Sequence, residues 1–269
     1  MSKEVRPFFA ASRHPVEVIA HRGGAREWPA ETVFAFERAL EAGVDILEMD
    51  VRATADGELV LMHNATVDDT TDGSGRVDEM TLSEIKSLDA GYDWTDDGGK
   101  TFPRRGEGIT VPTLREVFER FPEARMNIEI KQKKPSIIER FVRTIREHAM
   151  QDRILVASFW DGAMDDFREA CPEVATSAST PEALRFYTVH NLSGGSTYRP
   201  DTDALQVRSE LASLNIITRD FVETARRFDL KVHGWTVNEP AEMKRLISLG
   251  VDGIITDRPS RLLQVLGRA

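Results

Sequence analysis

DILEMDVRATADGELVLMH, residues 45–63, holds the reading on which the fold turns. Ile46, Leu47, Met49 and Val51 make its first half a nearly unbroken apolar run, the pattern of a strand buried on both faces, as in a parallel sheet. Parallel neighbours need crossover helices, so strand and helix patterns should alternate on either side of it. They do. Strand patterns recur at 17–20, 126–131, 153–159, 175–178, 203–207, 231–237 and 251–256, which with 45–51 makes eight. Amphipathic segments lie between them, such as ETVFAFERALEAG (31–43), where Val33, Phe36 and Leu40 share a face and Gly43 supplies the stop. TLREVFERF (113–121) and PSIIERFVRTIREHAM (135–150) read the same way. Eight strands with intervening helices predict an α/β protein built as one TIM-type (β/α)8 barrel over residues 1–269. HRGG at 21–24 is not the GxGxxG that would open a dinucleotide site.

Residues 64–112 interrupt the rhythm with turn-rich polar sequence and one helix candidate, TLSEIKSL (81–88). An excursion of that length in a compact domain is functional or disordered, and we expect a small insertion over the C-terminal mouth of the barrel.

Composition narrows the function classes. The formal net charge is −10 and the basic residues form no stripe, which excludes a nucleic-acid footprint and disfavours adhesion to anionic lipid. No signal h-region and no apolar run of membrane-spanning length is present, so a cytoplasmic protein without stable membrane insertion is expected. Cys171, the single cysteine, reads as a packed residue.

Within 45–63, Glu48 and Asp50 point to one face of a strand whose other residues are apolar, and two inward acids need a partner such as a cation. The DG dipeptide predicts a two-residue hairpin loop at Asp56 and Gly57, a register that sets Asp50 opposite His63. In MNIEIK, Glu129 and Lys131 alternate with isoleucines and should also face inward. His21 and Arg22 end the first strand, where barrel enzymes keep their reactive groups.

These residues, read together, resemble the glycerophosphodiester phosphodiesterase family. The likeness is carried by HRG (21–23), Pro29–Thr32, Glu48 with Asp50, Asp56 with Gly57, His63, LDAG (88–91), VPTLREV (111–117), IEIK (128–131), WTVN (235–238) and GVDGIITDRP (250–259). It implies a barrel like that of phosphatidylinositol-specific phospholipases C. It further implies Glu48, Asp50 and Glu129 as ligands for magnesium or calcium, His21 and His63 as the acid and base, Arg22 and Lys131 on phosphate oxygens, and Trp235 beside the alcohol. Four positions depart from the pattern. Ala30 and Glu31 replace the usual glutamate and asparagine of PENT, Asn64 replaces an aspartate after His63, and Asp69 replaces a common arginine. They bear on the surroundings of the ligands and on leaving-group preference.

Oxygen ligands suit a hard divalent cation, which leaves positions open for substrate. The expected activity is metal-dependent hydrolysis of a small-molecule phosphodiester to glycerol phosphate and an alcohol. The alternatives are lysophospholipase D activity, for which Tyr92, Trp94 and Phe102 would supply an apolar lip, and a non-catalytic phosphodiester-binding barrel.

Overall fold

The structure is a computed structural model that describes residues 5–193, 200–211 and 214–268. Eight parallel strands form the barrel wall: β1 (Glu17–Ala20), β2 (Ile46–Ala53), β4 (Arg125–Ile130), β5 (Ile154–Ala157), β6 (Ala175–Thr176), β7 (Ala204–Arg208), β10 (Lys231–Trp235) and β11 (Gly253–Thr256). Their order around the wall is β6-β5-β4-β2-β1-β11-β10-β7, and a parallel bridge between Ser177 and Ala204 joins the two ends. The expected barrel is therefore present. Among the described residues, three short strands lie off the wall: β3 (Leu59–Leu61), antiparallel to β2, and the pair β8 (Glu210–Leu211) and β9 (Leu214–Asn215).

Helices cover the wall where the 3.6-residue pattern places them. In α2 (Val33–Ala42), Thr32 caps the start by accepting from Ala35 N–H at 3.1 Å, and Gly43 ends it at φ 93°, a left-handed position that costs a glycine nothing. Thr113 and Glu116 form a capping box on α4 (Leu114–Arg120), and Thr81 and Glu84 another on α3 (Leu82–Lys86) in the 64–112 segment. The remaining crossovers include α5 (Ile138–Glu147), α6 (Asp161–Ala170), α8 (Arg219–Arg227), α9 (Pro240–Leu249) and α10 (Pro259–Val265).

Alternation along β2 sorts its side chains. Leu47, Met49, Val51 and Ala53 join the apolar layer between wall and helices, which leaves Ile46, Glu48 and Asp50 for the barrel interior. The interior is apolar at its N-terminal end, where Phe8 and Phe9 of α1 (Pro7–Ala10) pack on Ile19, Ile46, Leu155 and Ile255. Arg125 bridges this plug to the wall, pairing with Glu17 at 2.5 Å and donating to the Phe8 carbonyl at 3.3 Å. Charged residues gather at the opposite end. No helix among the described residues is long and apolar enough to cross a membrane.

The β2–β3 hairpin corrects the expected register. Thr54 N–H donates to the Glu58 carbonyl and Gly57 N–H to the Thr54 carbonyl, both at 2.9 Å, so the loop has three residues, Ala55 to Gly57. Pairing runs Val51–Leu61, Arg52–Val60 and Ala53–Leu59, and Asp50 O accepts from Met62 N–H at 3.0 Å; Asp50 does not face His63. The reason lies in Asp56, whose carboxylate accepts from the Thr54 hydroxyl (2.5 Å) and the Leu82 N–H (3.0 Å), fastening the loop to the 64–112 segment. With Gly57 at φ 82°, that is a turn followed by a left-handed glycine, not a two-residue primed turn. The slip of one residue turns Val60 and Met62 to the face from which Val67, Val77, Ile85 and Val111 build the segment's own small core.

Candidate active site

Immediately after β1 the chain folds into a tight turn, His21–Gly23, with Arg22 at φ 52°, Gly23 at 81° and Gly24 at 101°. A Cβ on Gly23 would lie 2.8 Å from the Ala35 Cβ, so α2 packs against this turn only because the residue is glycine. The turn aims the Arg22 N–H at Glu48, to which it donates at 2.7 Å, and brings the Arg22 guanidinium within 3.1 Å of Asp50.

The parallel register of β2 with β4 sets Asp50 beside Glu129 on the inward face. Glu48, Asp50 and Glu129 each offer a carboxylate oxygen, and these three oxygens lie within 4.8 Å of one another. Lys131 Nζ sits 3.3 Å from Asp50 and 2.9 Å from Glu129. Arg22 and Lys131 meet Asp50 as ion pairs, and both Asp50 oxygens remain without a hydrogen bond although buried. Buried acids in that condition fit a cation, and an all-oxygen set fits a hard divalent one.

Crowding is visible in the titration of the cluster. Burial and the charge of Asp50 push Glu48 up to about 7 and also raise Glu129. Burial works to raise Asp50 too, but Lys131 and Arg22 hold it below the usual aspartate range. Glu31, at a left-handed φ of 60°, reaches in from the loop before α2; its two oxygens stand 3.2 and 3.3 Å from the Asp50 N–H. Burial, then the charges of Asp50 and Glu48, raise its carboxyl well above the glutamate range.

Two histidines flank this cluster in opposite electrostatic settings. His21 Nδ1 lies 2.5 Å from Asp257, whose other oxygen accepts from Asn238 Nδ2 at 2.7 Å, while His21 Nε2 faces Glu48 at 4.0 Å. Burial works to lower the His21 pKa, yet Glu48 and the Asp257 hydrogen bond outweigh it and the net shift is upward. His63 follows the end of β3, with its carbonyl gripped by Arg52 at 2.9 and 3.2 Å. It feels the charge of Asp50 without the cross-strand pairing once expected of it, and burial with help from Arg22 and Lys131 shifts it downward. His63 Nδ1 bonds Asn64 Oδ1 at 2.7 Å, and Asp69 accepts from the Asn64 amide nitrogen. Two of the departures thus meet in one contact.

Trp235 ends β10 on the other side of the mouth. It reaches the cluster through Phe159, whose ring centroid is 5.7 Å from that of Trp235 and 5.2 Å from Lys131 Nζ. Tyr92 and Phe102 do not form an open apolar lip, because Arg105 lies over both rings at 3.9 and 4.2 Å.

Sequence reading missed Asp257, Asn238, Phe159, Arg208 and the inward reach of Glu31. The signal for the first two was present: each directly follows or lies near the end of a predicted strand, within the stretches GVDGIITDRP and WTVN. Phe159 and Arg208 were legible only as continuations of the inward alternation of β5 and β7.

Comparison with known proteins fits this geometry. The model of the glycerophosphoryl diester phosphodiesterase family matches residues 21–261. A glycerophosphodiester phosphodiesterase of Caldanaerobacter subterraneus subsp. tengcongensis is 36% identical over 259 residues, covering 93% of this chain and 97% of the relative. Among solved structures, a putative glycerophosphoryl diester phosphodiesterase from Silicibacter pomeroyi superposes with a TM-score of 0.79 at 27% identity, covering 97% of each chain. An Oleispira antarctica phosphodiesterase, solved with the product sn-glycerol-3-phosphate, gives a TM-score of 0.76 at 26% identity, covering 93% of this chain and 96% of that one. With the barrel, the acidic cluster and the ordered motifs all in agreement, the chain belongs to the glycerophosphoryl diester phosphodiesterase family.

Proposed function

We propose that this protein hydrolyses glycerophosphodiesters to glycerol phosphate and an alcohol, with Glu48, Asp50 and Glu129 holding a divalent cation, Mg2+ or Ca2+, and His21 and His63 as the acid–base pair. The observation that carries the reading is the meeting of three carboxylate oxygens within 4.8 Å, between two histidines of opposite pKa shift. Glu48, Asp50 and Glu129 would hold the cation, which would supply Lewis-acid polarisation of the phosphate and offset the charge of the crowded acids. Arg22 and Lys131, held at the same cluster, bind the remaining phosphate oxygens and stabilise the charge that develops on them.

The opposite directions of the two shifts support one division of the proton roles. His63, lowered and therefore neutral near pH 7, is the base. Asp69 holds the Asn64 amide so that its oxygen faces His63 Nδ1–H, which leaves Nε2 with the lone pair that accepts the proton of the attacking hydroxyl. In this reading His21, whose pKa Glu48 and the Asp257 hydrogen bond raise against burial, is the acid: Asp257 takes its Nδ1–H bond, and the Nε2 proton passes to the departing alkoxide as the phosphorus–oxygen bond breaks. The attacking hydroxyl belongs to water or to the neighbouring glycerol carbon, and a cyclic phosphate among early products distinguishes the second.

Turnover of a panel of glycerophosphodiesters, with and without chelator, tests the reading. His21→Ala and His63→Ala should each lower turnover by about 10²- to 10⁴-fold without unfolding the protein. Full turnover by metal-free protein in excess EDTA, or near-normal turnover of His21→Ala with metal bound, refutes it.

A second reading, lysophospholipase D activity, is favoured by Leu211 and Leu214. They pair across β8 and β9 just beyond the end of β7 and are 56% and 63% exposed. Turnover of lysophospholipids in the same panel decides it.

A further inference from the structure

The inward alternation of β7 and β10 carries a cation that the hydrolytic reading leaves without a task. Arg208 is the last residue of β7 and pairs in parallel register with Trp235, the last residue of β10, so both project at the mouth. The Arg208 guanidinium lies 5.2 Å over the Trp235 ring. Trp235 touches Phe159, and Lys131 Nζ lies 5.2 Å over the Phe159 ring. Two adjoining aromatic rings beside a phosphodiester site would ordinarily suit a quaternary ammonium, which binds over ring faces. Here each ring already has a side-chain cation over it. Lys131 is already engaged by Asp50 and Glu129, so a trimethylammonium group entering this corner meets the like charge of Arg208, whereas a carboxylate or a second phosphate meets its donors.

Resting on the hydrolytic reading above, we propose that Arg208, Trp235, Phe159 and Lys131 form the subsite for the leaving alcohol, and that it selects alcohols carrying an anionic group over those carrying a quaternary ammonium. Arg208 sets the sign of that preference. Lys131 is shared with the phosphate, but Arg208 touches only the alcohol.

The test is the ratio of kcat/KM for an anionic over a cationic leaving alcohol, measured on the metal-loaded enzyme. Bis(glycerophospho)glycerol supplies an anionic phosphodiester, glycerophosphoserine a carboxylate beside an ammonium, and glycerophosphocholine the quaternary ammonium alone. The wild type should favour the phosphate-bearing substrate over the choline one by about tenfold or more, the discrimination one charge-assisted contact supplies. Arg208→Ala should flatten the ratio, and Arg208→Glu should invert it, with the change carried mainly by KM. Retention of the wild-type ratio in Arg208→Glu, or a wild-type preference for choline, overturns the proposal. Equal loss of all three substrates in Arg208→Ala, with the ratio unchanged, also overturns it, because the residue would then serve the fold. Failure of the wild type to turn over any of the three sinks the hydrolytic reading instead.

Discussion

Replacing Asp257 with asparagine tests how His21 is made an acid. The change keeps the side-chain shape and leaves Asn238 and its backbone contact in place, but removes the charge 2.5 Å from His21 Nδ1. A hydrogen bond to a charged group contributes about 1.5–3 kcal/mol, which is about one to two pKa units. Burial, the largest influence on His21, pulls its pKa down, and Glu48 would be left to oppose it without the Asp257 bond. The raised pKa of the wild type keeps the ring protonated above the ordinary histidine value, so the alkaline limb of the pH profile lies above about 6.5. In Asp257→Asn that limb should move down by about one to two units, and kcat/KM at pH 8 should fall by about 10- to 100-fold while the loss at pH 5.5 is small. The assay is kcat/KM against pH for a glycerophosphodiester at saturating metal, read beside His63→Ala, which should lose the acid limb. An alkaline limb that stays where the wild type has it would refute the assignment of His21 as the acid held by Asp257.

Metal affinity should rise with pH through neutrality. Glu48 stands at about 7, so below that pH the cation must displace a proton, and affinity should fall by up to about tenfold per pH unit; calorimetry in buffers of different ionisation enthalpy will read the released proton, and a pH-independent affinity from 6 to 8 contradicts the cluster's titration. Glu31→Ala should weaken metal binding by about 10- to 100-fold through loss of the group that holds the Asp50 N–H, and Glu31→Gln should restore most of it; titration with the metal ion checks both. Asp45→Ala should lower stability by about 2–4 kcal/mol and Tm by about 5–15 °C, because it strands the Val18 N–H and the Arg268 guanidinium that now meet the carboxylate at 2.8 and 2.7 Å. Although burial opposes it, the Asp45 pKa is lowered by Arg268 and Val18, so this stabilisation is complete above the ordinary aspartate value and is lost as pH falls through the depressed one; a calorimetric scan at pH 7 and pH 3 should show the mutant deficit shrink.

How far the site could be read in the sequence depended on how local its geometry is. Glu48 and Asp50 were readable because two acids in an apolar strand have one face to share, and the same held for Glu129 and Lys131. His63 was assigned correctly to the mouth by a faulty route. The DG dipeptide carries a strong turn preference, but the Asp56 carboxylate also accepts from the Leu82 N–H at the start of α3, a partner 26 residues away that no local signal announces. Tyr92 and Phe102 looked like an apolar lip until Arg105 covered them.

By itself the sequence determined the alternation of strands and helices, the single barrel and the strand-end positions of the charged residues, because periodicities of 2 and 3.6 are written in adjacent residues. Only the tertiary structure decided which of those charges share a field. Barrel closure brings Asp257, just after the last strand, to His21 after the first, 236 positions apart, and parallel register sets Arg208 on Trp235 and Asp50 beside Glu129. Coulomb and desolvation energies depend on distance and burial, which no stretch of chain records, so the opposite pKa shifts of two chemically identical histidines belong to the fold.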